Sequence, residues 1–518
     1  MEIQTSKNRS TFADAITQYR NVILIVLFSV GILVRCIFIW HPADDVMLNS
    51  WRESDYTQIA RAFFREDMNP LFPRVDWRGT GPGYAEMELP VIPWTAACLY
   101  HVVGYHEVVL RLLSALCSIL SVVVFWRLAR RFFPTPWDLV ALTLFSLNGL
   151  LIALSGAIQP EPLMILLILL SALYAVRWHD EDRPKDLLIA CAFLSLAMLG
   201  KLPAAHLGIL FAFLVIQRYG VKGSFRVSVF LGASLAVIPA TAWYLWAHHL
   251  YHATGLSLGI SNETHLLSAV MIAHPGSWVR SLCTIELREA FGYAGIFLVI
   301  PAIFEKANWK NGLVVWYGAI VAFYIATADT SADSWAYYYH SLSVAPAALL
   351  MTSGLMVMYT LIKNLDWGGA GVTLRYGFVA ILIVAVVCVS VAHGARLIRG
   401  SRAHGDLEEL YRCVPAFAKV VPEGSRIIVR GGTRFDAHRH PVAFNASMAF
   451  LWMDRKGVNY AEEDYSSATL LHLHEEGMDY WVAGKNDLKD SSVVRALGSR
   501  IALIDSCSAF RLYEFTNR

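Results

Sequence analysis

A small set of ionisable side chains stands where apolar segments begin or end. Arg52, Glu53 and Asp55 open the stretch WRESDYTQIARAFF, and Glu86 and Glu88 flank Met87 in the Gly/Pro-rich WRGTGPGYAEMELP. Glu161 follows Pro160 in QPEPLM, Lys201 separates two apolar runs in LGKLPAA, and Tyr338, Tyr339 and His340 belong to YYYHSLSVAPAALL. Carboxylates can take a proton from a hydroxyl, and cations can stabilise charge growing on a departing group. Each residue also has an ordinary structural explanation. Glu53 and Asp55 can cap a helix or face solvent, and Glu161 suits the positive end of a helix dipole. The tyrosines suit a membrane interface, and His340 can be a satisfied core residue. Their coincidence at similar depth on one side of the apolar segments favours a site, since desolvated charge there is costly unless used.

The elements that would position them follow from composition. Of 518 residues, 56% are hydrophobic and only 16% charged, too little charge for the surface of a soluble protein this size. No basic stretch is dense enough to suggest a nucleic-acid partner. About twenty apolar residues cross the hydrocarbon core as a helix. Runs of this kind fall at 21–40, 107–128, 137–156, 162–178, 186–202, 204–218, 226–248, 290–305, 311–327, 339–362 and 374–394. The first, preceded by Lys7, Arg9 and Arg20, reads as a retained anchor. Basic connections (Arg127, Arg130 and Arg131; 177–185; Arg218, Lys222 and Arg226; Lys306 and Lys310; Lys363 and Arg375) alternate with less basic ones. Positive loops stay cytoplasmic, so about eleven spans put the N-terminus inside and the residues after 394 outside.

Two parts then lie outside: a long first loop, 41–106, and an α/β unit, 398–518, beside a membrane part covering 1–397. In the loop, Tyr56, Ile59, Ala60 and Phe63 share one helical face, as in a helix lying along the membrane surface. A second helix, Val91 to Val103, returns the chain. In the C-terminal unit, 407–420 reads as helix and 426–429, 480–483 and 509–515 as strands. Cys413 and Cys507 both fall there and are candidates for a disulfide. Gly431-Gly432 lacks the spacing of a nucleotide-binding loop.

The motifs quoted above, with RLLSALCSILSVVVFWRLARRFF, run in order over most of residues 50–350. Together they resemble the GT-C polyprenyl-phosphate-sugar glycosyltransferases, in particular the bacterial branch of the protein O-mannosyltransferase and aminoarabinose-transferase superfamily. The resemblance implies an α-helical polytopic membrane protein with a small outer α/β domain, in a bacterial inner membrane. It also implies an inverting transfer from a polyprenyl-phosphate sugar to a hydroxyl or phosphate acceptor on a glycolipid, polysaccharide or protein. Asp55 matches the presumed base. Relatives often carry adjacent Asp-Glu where this chain has Arg52-Glu53, so Glu53 and Asp55 both stand as candidates, with Asp55 favoured. Glu161 matches a second acid, and Glu88 an acid near the donor, although Leu89 replaces a lysine found in some relatives. Lys201 matches a base near the lipid phosphate, with Arg52 as a further phosphate partner. Tyr338, Tyr339 and His340 match a polar span start lining the cavity, and Glu86 joins them as a substrate-binding candidate.

Such a donor carries its own leaving group, so no cofactor is required. A divalent metal held by Glu88, Glu161 and His265 is the alternative, although no ligand spacing supports it. The competing readings are a secondary transporter, which would place its charges near the membrane midplane, a ligase or polymerase of the O-antigen type, and a non-catalytic scaffold.

Overall fold

The computed structural model describes residues 18–37, 39–40, 50–261, 265, 272, 275–332, 336–363, 371–401, 405–435, 442, 444, 446–489 and 491–516. Lys7, Arg9 and residues 41–49 of the first loop lie outside them.

In lipid a helix satisfies its backbone polar groups internally, and each of the apolar runs holds helix. Among the described residues six helices are long and apolar enough to cross a membrane: Val108–Phe132, Glu161–Glu181, Leu202–Gly223, Val227–Thr254, Tyr337–Ile362 and Gly377–Ile398. In chain order the bundle comprises α1 (Arg20–Cys36), α2 (Ser50–Arg65), α3 (Val91–Val103), α4 (Val108–Phe132), α5 (Trp137–Ser146), α6 (Gly149–Leu154) and α7 (Glu161–Glu181). It continues with α8 (Pro184–Gly200), α9 (Leu207–Gly223), α10 (Val227–Thr254), α11 (Ile296–Phe304), α12 (Leu313–Ala326), α13 (Ser341–Lys363) and α14 (Gly371–Ser401).

Some apolar runs do not form single rods. The run 137–156 breaks at Asn148, whose side chain accepts from Leu151 N (3.1 Å) and donates to Glu289 O (2.8 Å). The break lets α6 approach α14 backbone to backbone. A Cβ on Gly149 would lie 1.9 Å from Ser390 O, and one on Gly394 2.4 Å from Gly149 O.

Within residues 50–106 the first loop is folded, and the apolar face of its helix packs on protein. Tyr56, Ile59, Ala60 and Phe63 of α2 are all buried. They pack against α3 and against a helix of the C-terminal unit. Their apolar face meets protein instead of lipid.

The C-terminal unit contains α15 (Gly405–Val420), β1 (Arg426–Arg430), α16 (Ser447–Met453), β2 (Lys456–Tyr460), α17 (Ser467–Glu475), β3 (Tyr480–Ala483), β4 (Ile501–Cys507) and β5 (Phe510–Phe515). The sheet runs β2-β1-β3-β5-β4. Its first three strands are parallel, and β5 pairs antiparallel with β3 and β4. Cys413 and Cys507 form a disulfide, with Cα atoms 5.4 Å apart, that ties α15 to the β4 edge. Main-chain bonds join this unit to the first loop: Gly79 N to Gly457 O (2.6 Å) and Gly457 N to Asp76 O (3.0 Å).

Candidate active site

A cavity of about 630 Å3 opens where the first loop, the break between α8 and α9, and the segment before α13 meet. Its polar wall includes Arg52, Glu88, Lys201 and Tyr339, and its apolar wall includes Ile209 of α9 and Ala319, Ala322 and Phe323 of α12.

Local sequence explains how each polar group arrives there. Helix α8 stops at Gly200, and Lys201 is extended (φ −169°) before a short turn containing Pro203. A proline at this point cannot continue the previous helix's hydrogen bonds, so Lys201 stands in the break. The MELP segment is held beside it by Leu89 N donating to Leu199 O (2.9 Å) and Trp243 Nε1 to Met87 O (3.1 Å). This places Glu88 in the wall. Arg52 and Tyr56 are one turn apart on α2, hence on one face, and both reach Glu88. The Tyr56 hydroxyl donates to Oε1 (2.7 Å), and Arg52 Nη1 lies 3.6 Å from the same oxygen. Burial and then the Glu88 carboxylate push the Tyr56 hydroxyl well above its ordinary pKa, so it stays a donor.

Lys201 is ion-paired with Glu161, the first residue of α7. Its ammonium sits over two rings, 4.1 Å from the centre of Tyr338 and 4.7 Å from that of Tyr339. Arg52 also lies over Tyr338, at 5.5 Å. The tyrosines suggested as an interfacial belt thus form an aromatic seat under two cations, which attract such rings.

Other candidates are placed differently. The carboxylate of Asp55, the favoured base, is fully buried, accepts the Trp77 indole N–H (2.8 Å) and is absent from the cavity wall. A base needs reach to the proton it takes, and in this structure the Asp55 carboxylate is turned to Trp77. Glu53 is also turned inward. Its oxygens accept from Arg111 at 3.2 and 3.1 Å and from Ile158 N at 3.0 Å, with both charged side chains fully buried. It anchors α2 to α4 and to the segment before α7. Glu86 is not in the wall either. It accepts from Ser257 Oγ (2.6 Å), Ser261 N (3.0 Å) and Ser261 Oγ (2.7 Å), and so pins the segment whose Leu258, Gly259 and Ile260 line the cavity.

His340 belongs to a separate buried cluster, with Nδ1 2.7 Å from Glu286 Oε2 and Nε2 3.0 Å from Ser331 O. Tyr317 and Ser343 also donate to Glu286, each at 3.0 Å. His265 does line the cavity, but its Nε2 lies 2.6 Å from Gly259 O. Among the described residues no three His, Cys, Asp or Glu side chains converge as a metal set.

A second cavity of about 620 Å3 lies between α2 and the C-terminal unit, lined by Arg61, Arg65, Glu66, Asp76, Asp454 and Lys456 among others. Its charges largely satisfy one another: Arg61–Asp76 at 2.7 Å, and Arg61–Asp454, Arg65–Asp454 and Lys456–Glu66 each at 2.9 Å.

With this geometry in view, the overall structure is similar to a crystal structure of ArnT from Cupriavidus metallidurans bound to undecaprenyl phosphate. The TM-score is 0.60 at 12% identity, covering 95% of this chain and 97% of that one. The chain has the GT-C fold. The same fold relates it to the Archaeoglobus fulgidus oligosaccharyltransferase tethered to an acceptor peptide (TM-score 0.59, 12% identity, 91% of this chain and 70% of that one). It is similar too to the mycobacterial arabinofuranosyltransferase AftD (TM-score 0.55, 13% identity, 96% and 42%). Residues 87–246 match the family described as dolichyl-phosphate-mannose-protein mannosyltransferase. No curated protein sequence matches. That matched region begins at Met87, beside Glu88, and spans Glu161, Lys201 and most of α10. Within this GT-C fold the sequence reading missed Tyr56 as a polar contact, Arg111 and Glu286. Arg111 carried a signal, an arginine one turn into the apolar run 107–128 and away from the basic cluster Arg127, Arg130 and Arg131 at its other end.

Proposed function

We propose that the chain is an inverting glycosyltransferase that moves a sugar from a polyprenyl-phosphate donor to a hydroxyl or phosphate acceptor. The observation carrying this reading is the shape of one cavity. Arg52, Lys201 and Tyr339 stand at its polar end, and Ile209, Ala319 and Phe323 line the gap between α9 and α12. A phosphate joined to a hydrocarbon chain matches both ends of that space. Its phosphate would lie against Lys201 and Arg52 and its chain between the two helices. The ArnT structure that this fold resembles holds a ligand of that kind.

The transfer needs no resident cofactor or metal in this proposal, because the departing polyprenyl phosphate is already a weak base and the cations neutralise it. Residues 1–397 would form the catalytic part and 398–518 an outer unit, with the N-terminus cytoplasmic. The alternating basic connections support that orientation. So does the Cys413–Cys507 disulfide, since such bonds persist in oxidising compartments. A bacterial inner membrane fits both.

The test is a screen of polyprenyl-phosphate sugars with the purified full chain, with mass detection of glycosylated acceptor and released polyprenyl phosphate. Transfer from at least one donor is the expected result. Failure with every donor, together with failure to bind undecaprenyl phosphate, would sink the proposal.

A further inference from the structure

The acidic residues near this site differ in how their oxygens are occupied. Glu53 is held by Arg111 and Ile158 N. Glu161 is paired with Lys201, and its other oxygen is sealed in. Asp55 carries the Trp77 indole outside the wall. Among the described residues lining the cavity, Glu88 is the one carboxylate. Both of its contacts fall on Oε1, from Tyr56 (2.7 Å) and Arg52 (3.6 Å). Oε2 takes no hydrogen bond from a described residue, yet is not among the sealed polar atoms. It is the oxygen left toward the cavity.

We infer that Glu88 is the general base of the transfer, with Arg52 and Tyr56 as positioning residues that aim Oε2 at the acceptor. The inference rests on the proposed donor chemistry and assigns its proton acceptor. As the acceptor oxygen forms its bond to the anomeric carbon, its proton passes to Glu88 Oε2. The bond from that carbon to the donor phosphate breaks, and its electron pair leaves on the phosphate oxygen beside Lys201 and Arg52. The products are glycosylated acceptor, polyprenyl phosphate and neutral Glu88, which then returns its proton to water. A guanidinium and a donated hydroxyl hold Oε1 while leaving Oε2 open.

The experiment uses the full chain in lipid nanodiscs, with the donor that the screen selects and undecaprenyl phosphate as the binding probe. Glu88→Gln is expected to lower kcat by about 100-fold or more, with probe binding and donor KM near wild type. Tyr56→Phe is expected to lower kcat about tenfold with donor KM near wild type, because the hydrogen bond that holds Oε1 and aims Oε2 is lost. Near-wild-type kcat in Glu88→Gln, beside an active wild type, would overturn Glu88 as base while leaving the transferase reading intact. Loss of probe binding in Glu88→Gln would make it a donor ligand and also overturn the assignment. A wild type that neither transfers nor binds the probe would overturn the reading beneath it.

Discussion

Lys201 is sandwiched between a carboxylate and a ring: its ammonium is ion-paired with Glu161 and lies 4.1 Å from the centre of Tyr338. Both partners hold it in the helix break while leaving it in the cavity wall. A cation with this support is ready for an anionic ligand without first reorganising.

Removing Lys201 alone would strand Glu161 in the interior, which costs about 3–5 kcal/mol. The informative comparison is therefore Lys201→Met with Glu161→Gln against Glu161→Gln alone. The double variant is expected to keep a Tm close to the single one and to raise donor KM about tenfold or more, the worth of one charged hydrogen bond. Equal donor dependence in the two would remove Lys201 from phosphate binding.

Glu53→Gln should report on folding rather than on chemistry. It leaves Arg111 buried without its carboxylate, so a loss of about 3–5 kcal/mol is expected. Thermal unfolding in detergent reads this as a clear fall in Tm, whereas Glu88→Gln should hold its Tm. Equal Tm changes in the two variants would contradict the separate roles drawn from their hydrogen bonds.

Glu66 gives the contact between the first loop and the C-terminal unit a pH dependence. Burial opposes its ionisation, but Arg78 and Lys456 outweigh this and hold the carboxyl down at about 2, below its ordinary 4.5. A depressed carboxylate stabilises the fold above its unfolded pKa and loses that contribution as pH falls through the folded value. Stability should therefore drop between about pH 4.5 and 2. Glu66→Gln should flatten the slope over that window, as measured by chemical denaturation at stepped pH.

Reducing Cys413–Cys507 opens a link between residues 94 positions apart. Bonds closing loops of this length stabilise by about 2–5 kcal/mol. The Cys413→Ser, Cys507→Ser double variant should unfold earlier in denaturant, and alkylation of the denatured, unreduced protein should leave both cysteines unlabelled. Labelling at either position would exclude the bond.

Much of the frame was legible because it depends on period and length. The apolar runs and the four-residue spacing of Tyr56, Ala60 and Ile59, Phe63 in α2 are properties of the string alone. Strand β2, KGVNY, was not legible: it is short, mixed in polarity, and formed by its pairing with β1. Within the site, Glu53 and Asp55 could not be separated, since neighbouring positions on a helix point in different directions and no spacing says which direction holds the cavity. Glu286 was invisible for a related reason. Its partners Tyr317, His340 and Ser343 come from segments far along the chain.

The contacts between α2 and the C-terminal unit bear on modularity. Gln58 donates to Ser447 O (2.6 Å), Ser447 Oγ to Trp51 O (2.7 Å), and Arg61 pairs with Asp454 (2.9 Å). Trp51 is next to Arg52 in the chain, so the C-terminal unit grips the helix one residue from the cavity. A version trimmed after residue 401 would expose a greasy flank of that helix to water. Exchanging this unit for that of a distant relative would disturb turnover as well as solubility, unlike the exchange of an appendage on a tether.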